Sequence, residues 1–170
     1  MLAPRATPPT DKPTLYRELA LELSGLFSGE RNAIANTAHM SALIFDRLPN
    51  LNWAGVYFLD AETGGLVVGP FQGRPACVRI AIGKGVCGTA VAERRSIVVL
   101  DVNAFPGHIA CDAASRSELV LPLRDGDKIL GVLDLDAPIP ARFDDNDRRG
   151  LETAAALFVQ GSDLGTVPRL

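Results

Sequence analysis

The apolar pattern of this chain changes period twice, and that alone narrows the folds open to it. Before residue 49 apolar residues recur at helical spacing. Leu15, Leu19, Leu23 and Leu26 predict a helix over Thr14–Phe27, and Ile34, Met40, Leu43 and Ile44 a second from Glu30 to Leu48, ended by Pro49-Asn50. From Trp53 the pattern turns to short apolar runs. Trp53–Leu59, Leu66–Val68 after Gly64-Gly65, Val78–Ile82 and Ser96–Leu100 read as strands, as do Leu119–Leu123 and Ile129–Leu135 around Asp125-Gly126-Asp127. Helical spacing returns in Leu151, Ala154, Ala155 and Phe158, behind Asp144 as N-cap. Two helices, an antiparallel run of strands and a closing helix predict an α+β domain, with a central, mainly antiparallel sheet flanked by N-terminal and C-terminal helices.

A chain of 170 residues fits one domain. Residues 1–13 hold four prolines and read as a flexible lead-in, 14–160 as the domain and 161–170 as a tail. No repeat or linker interrupts it. The net charge of −3 does not point to nucleic acid or an anionic membrane. No signal-peptide core and no membrane-length apolar run is present, so the expected location is the cytoplasm. Three cysteines, Cys77, Cys87 and Cys111, are an odd number for a secreted disulfide framework. In a reducing compartment they serve as apolar filler, metal ligands or redox groups.

The segment from Phe105 to Glu118 is the most informative. Long irregular loops in a small domain usually carry function. Cys111 precedes small residues with helical potential, and a helix N-terminus there would stabilise its thiolate, helped by Arg116 or His108. A buried, inert cysteine is the equal alternative. Asp134 and Asp136 alternate with Leu133 and Leu135 and so share a strand face. A three-residue hairpin loop with Arg124 facing Lys128 would set Glu118 opposite Asp134, gathering three acids on one face. A two-residue loop would send Glu118 to the other face. Gathered acids repel one another and retain a proton, which makes a general acid; an edge strand ending in solvent is the plainer account of the two aspartates. Trp53 and Tyr57 share a strand face and suit either a thioether pocket or ordinary packing. Gly83-Lys84-Gly85-Val86-Cys87-Gly88 lacks the Lys-Ser/Thr ending of a phosphate loop and reads as a tight turn into a helix through Glu93, with Cys87 near the interior. The histidines, His39 and His108, are few, and no cysteine pair has C-x₂₋₄-C spacing, so zinc is poorly supported.

Several segments together resemble the free methionine-R-sulfoxide reductases. They are Asn52-Trp53-Ala54-Gly55-Val56-Tyr57, Gly69-Pro70-Phe71-Gln72-Gly73, Pro75-Ala76-Cys77-Val78-Arg79-Ile80, Gly83 to Ala90, Phe105 to Glu118, Gly131 to Asp136, and Arg142-Phe143-Asp144. The resemblance covers roughly residues 30–160. It implies a GAF fold, a homodimer, and activity without metal or organic cofactor. It implies Cys111 as the attacking cysteine, Cys77 as the main resolving cysteine and Cys87 as a secondary partner. Glu118, Asp134 and Asp136 match the family's acids, and Trp53 and Tyr57 its aromatic pocket. The implied substrate is free methionine sulfoxide of R configuration, and thioredoxin the reductant. Glu118 and Asp136 are the candidates to protonate the sulfoxide oxygen. Asp134 is the candidate partner for the ammonium, and loop N–H groups for the carboxylate. The rival expectation is a GAF sensory module that binds a small ligand without catalysis.

Overall fold

Side-chain caps decide where the helices start. The computed structural model describes residues 11–109 and 111–166; most of the proline-rich lead-in and the end of the tail lie outside the described residues. Asp11 accepts a hydrogen bond from the Thr14 N–H (2.9 Å) and opens α1, Lys12–Phe27, with Pro13 in its first turn. Asn32 accepts from the Ala35 N–H (3.0 Å), so α2 runs Ala33–Arg47 and starts after Asn32 instead of at Glu30. Asp144 and Asp147 form a reciprocal capping box at the head of α4, Asp145–Gly161, as expected for Asp144. The short α3, Gly85–Glu93, follows the glycine-rich turn.

The strands are β1 Trp53–Leu59, β2 Leu66–Gly73, β3 Arg79–Ile80, β4 Ile97–Val99, β5 Ser117–Asp125 and β6 Lys128–Ala137. They form one antiparallel sheet in the order β3-β2-β1-β6-β5-β4. β1 matches expectation at both ends, while β2 is longer, and β3 and β4 shorter, than the apolar runs suggest. Side chains alternate between two faces. Ala54, Val56, Phe58, Leu119, Leu121, Leu123, Leu133 and Leu135 pack against α1, α2 and α4 in the larger core. Trp53, Tyr57, Val120 and Val132 face the other way, toward Val86, Cys87 and Ala90 of α3. Among the described residues no helix is long and apolar enough to cross a membrane.

The β5–β6 hairpin corrects the expected register. Asp125 pairs with Lys128 across the two-residue turn Gly126-Asp127, with Gly126 at φ +58°. A two-residue turn alone would move Glu118 to the helix-covered face. A bulge prevents this: Arg124 pairs with Ile129 but Leu123 pairs with Gly131, so Leu130 is an extra residue. Glu118 therefore stands opposite Asp136, not Asp134, and Asp134 stands opposite Val120. The displacement from the expected pairing is two residues, so the face is preserved and the three acids do lie together. Gly131, next to the bulge, passes so close to β1 that a Cβ on it would collide with the Tyr57 carbonyl oxygen.

Candidate functional site

A cavity opens on the sheet face away from the three long helices, roofed by α3 and by the loops before β3 and β5. β1 supplies its aromatic wall. Trp53, Gly55 and Tyr57 point to this face, and Gly55 has no side chain to separate its neighbours. The two rings stack at 5.7 Å, and Phe71 of β2 stacks on Trp53 at 5.2 Å. A Cβ at Gly55 would come 2.6 Å from Trp53 Cη2. The Trp53 indole N–H donates to the Arg74 carbonyl oxygen (3.2 Å), which ties the wall to the loop leading to Cys77.

The acids form the floor. β6 lies in the interior of the sheet, so the solvent-exposed edge once open for Asp134 and Asp136 does not apply. Glu118 and Asp134 are buried, at 6% and 5% exposure. Burial, with the charges of neighbouring acids, holds both carboxyls well above the ordinary range. Asp136 is less enclosed; burial lifts it to about 6, against the opposing pull of a Ser115 hydrogen bond and the His108 side chain. Burial thus favours the protonated forms of Glu118 and Asp134. His108 Nε2 lies 3.5 Å from Glu118 Oε2. The Oδ1 atom of Asp134 is buried without a partner, which is a costly state unless something else comes to meet it.

Cys77 and Cys111, 34 positions apart, are joined in a disulfide with their Cα atoms 5.5 Å apart. The bond links the β2–β3 connection to the β4–β5 connection, and Cys111 lines the cavity. One expectation fails here. Residues 111–116 form turns, and no helix begins after Cys111, so no helix N-terminus supports its thiolate. Arg116 is exposed and does not line the cavity, whereas His108 lines it but faces Glu118. Cys87, on α3, is free and buried, and its thiol is pushed up by burial and by Asp134 and Glu118.

Cys87, Glu118 and Asp134 each present one donor atom within 4.8 Å of the others. Burial favours the neutral form of each of these groups, which opposes metal binding there. The structure also brings in residues that the sequence left unmarked. The Asn52 amide donates to Asp112 Oδ2 (3.2 Å) and Ser115 Oγ (3.0 Å), and its backbone N–H donates to the Asp136 carbonyl (3.0 Å). Asn52 thereby clamps the Cys111 loop to the acid-bearing strand. The Asp112-x-Ala114 turn, with the Ala114 N–H on Asp112 Oδ1, is the local signal that marks this anchor. Arg74, at the rim, carried no signal.

Comparison with known proteins agrees with this geometry. A GAF domain model matches residues 35–161. The free methionine-R-sulfoxide reductase of Escherichia coli (strain K12) is 49% identical over 146 residues, 86% of this chain and 87% of that protein. A putative GAF sensor protein from Burkholderia vietnamiensis, known from its crystal structure, is 55% identical, with TM-score 0.87 over 90% of this chain and 96% of that one. The free methionine-R-sulfoxide reductase from Neisseria meningitidis, solved in complex with its substrate, is 38% identical, with TM-score 0.90 over 95% of both chains.

Proposed function

Because the chain belongs to the free methionine-R-sulfoxide reductase family of GAF domains, we propose that it reduces the R sulfoxide of free methionine through Cys111 and Cys77, using the unit spanning residues 14–160. The observation that carries this reading is the Cys77–Cys111 disulfide, whose Cys111 lines the same cavity as the buried carboxyls Glu118 and Asp134. In the reduced protein the Cys111 thiolate attacks the sulfoxide sulfur while Glu118 gives its proton to the oxygen. The new Sγ–S bond and the S–O bond then break as the hydroxyl passes from the substrate sulfur to Cys111 Sγ, so methionine leaves as the thioether and Cys111 becomes a sulfenic acid. The Cys77 thiol condenses with it, releasing water and forming the disulfide. An external dithiol, thioredoxin, exchanges with this disulfide and restores both thiols. Cys87 serves at most as a secondary partner, because burial keeps its thiol protonated.

The substrate's thioether end packs on the Trp53–Tyr57 wall. Its ammonium meets the unpartnered Asp134 Oδ1 and the Asp136 carboxylate. Of the two acid candidates, burial and the neighbouring Asp136 push the Glu118 carboxyl well above its ordinary range, whereas Asp136 is less enclosed and lies at about 6. Glu118 is therefore suited to proton transfer and Asp136 to the ammonium. The protein works as a homodimer in the cytoplasm, where a thioredoxin pool keeps such a dithiol reduced.

The test uses purified protein with methionine sulfoxide, thioredoxin, thioredoxin reductase and NADPH. Substrate-dependent NADPH oxidation is expected. Cys77→Ser should lose most of this turnover yet still release about one methionine per chain in a single turnover, since attack needs only Cys111. Cys111→Ser should lose both. Methionine release by Cys111→Ser would remove Cys111 from the role, and a sensor would consume no NADPH.

A further inference from the structure

A free amino acid brings one positive and one negative group to this cavity, and the cavity's own charges are unevenly matched to them. Its floor offers Asp134 and Asp136 as partners for an ammonium. The basic side chains among the described lining residues are two, His108 and Arg74. His108 faces the Glu118 carboxyl. The Arg74 side chain is exposed at the rim and makes no ion pair or hydrogen bond with any described residue. Asp112 acts on it through charge, but the Asp112 carboxyl is already occupied by the Ala114 N–H and the Asn52 amide.

We propose that Arg74 is the carboxylate subsite of the reductase, binding the α-carboxylate of free methionine sulfoxide; this rests on the reductase reading above. Four features of position support it. The Arg74 carbonyl is fixed by the Trp53 indole at 3.2 Å, so the residue starts from the top of the aromatic wall on which the thioether packs. Pro75 follows and restricts the backbone of Arg74. Cys77, three residues on, is bonded to Cys111, so the segment is held beside the reacting sulfur. A guanidinium offers two parallel N–H donors that match a carboxylate, which a point charge does not. With ammonium on the acid floor and carboxylate at the rim, the substrate lies along the wall with its sulfur toward Cys111. A methionine sulfoxide inside a peptide has an amide where this carboxylate would be, so Arg74 adds a second reason, beside the ammonium, for preferring the free amino acid.

The test compares free methionine sulfoxide with methioninamide sulfoxide, which keeps the ammonium and loses the carboxylate charge. Arg74→Ala should raise KM for the free amino acid about 10- to 100-fold, the range for losing a charge-assisted pair, with kcat within about threefold of wild type. KM for the amide should not change between the two proteins, and Arg74→Lys should recover part of the loss. An unchanged KM for the free amino acid in Arg74→Ala, or an equal rise for the amide, overturns the assignment while wild-type turnover leaves the reductase reading standing. A wild-type protein that turns over neither sulfoxide overturns both.

Discussion

Gly55 and Glu118 illustrate how much single positions decide here. Gly55 faces the cavity between Trp53 and Tyr57, and the missing side chain is what lets residues four apart on a strand stack their rings. Glu118 is buried beside Asp136 and Asp134, and burial with the Asp136 charge pushes its carboxyl well above the ordinary range. Glu118→Gln retains a hydrogen-bond donor but cannot transfer a proton. Methionine formation, measured before steady state, should slow by roughly two to four orders of magnitude, with substrate affinity changed less and the circular dichroism spectrum intact. A folded variant at near wild-type rate would dismiss Glu118 as the acid. Asp136 carries a stability consequence of known sign. Its pKa rises from 3.8 to about 6 in the folded protein. Between those values the unfolded chain has released a proton that the folded protein still holds, so stability falls as pH rises through the window and stays lower above it. Asp136→Asn should therefore melt higher than wild type at pH 7.5, by an amount worth ~1–3 kcal/mol, and the gap should close as the pH is lowered to 4. A gap independent of pH would show that Asp136 ionises freely in the folded state. The types and numbers of these residues were legible in the sequence, since acids in an apolar strand and aromatics at even spacing stand out. Their protonation was not, because it depends on how deeply α3 and the loops cover them.

Elements were legible where local chemistry sets them and obscure where distant contacts do. β1 and the Asp144 cap follow from apolar runs and capping residues alone. β3 shrinks to Arg79–Ile80, which pairs with Val67 and Leu66 of β2, while Val78 only accepts a hydrogen bond from the Val68 N–H; no local pattern reports this. The β5–β6 hairpin is the instructive case. Turn residues Asp125-Gly126-Asp127 fit either a two- or a three-residue loop, and the extra residue Leu130 has no sequence marker of its own. The bulge is fixed by tertiary contact: Gly131 passes against the Tyr57 carbonyl, where a side chain would collide. Two departures from the expected pairing cancel in parity, which is why the three acids share a face although Glu118 faces Asp136. The turn after Cys111 is a further example. Small residues there have helical potential, but Asp112 and Ser115 are drawn to the Asn52 amide, and Asp112 also takes the Ala114 N–H. The loop is shaped as a clamp for the cysteine, and no helix forms.

Across the whole molecule the sheet separates stability from chemistry. One face buries a core of leucines and phenylalanines under three long helices, and truncating Leu133 there would cost ~2–5 kcal/mol. That surplus supports the other face, where burial of acids and an unpartnered Asp134 oxygen are unfavourable for folding. The Cys77–Cys111 bond spans two connections of the chemical face and leaves the helical core untouched. The account as a whole is tested most directly by one turnover without external reductant. Fully reduced protein is mixed with the racemic sulfoxides of free methionine, and the amino acids are resolved by chiral chromatography while the protein is mapped by mass spectrometry. The account predicts about one methionine per chain, drawn from the R sulfoxide alone, together with a Cys77–Cys111 disulfide and a Cys87 thiol still free to be alkylated after denaturation. No methionine, equal consumption of both epimers, or a disulfide that includes Cys87 would contradict it.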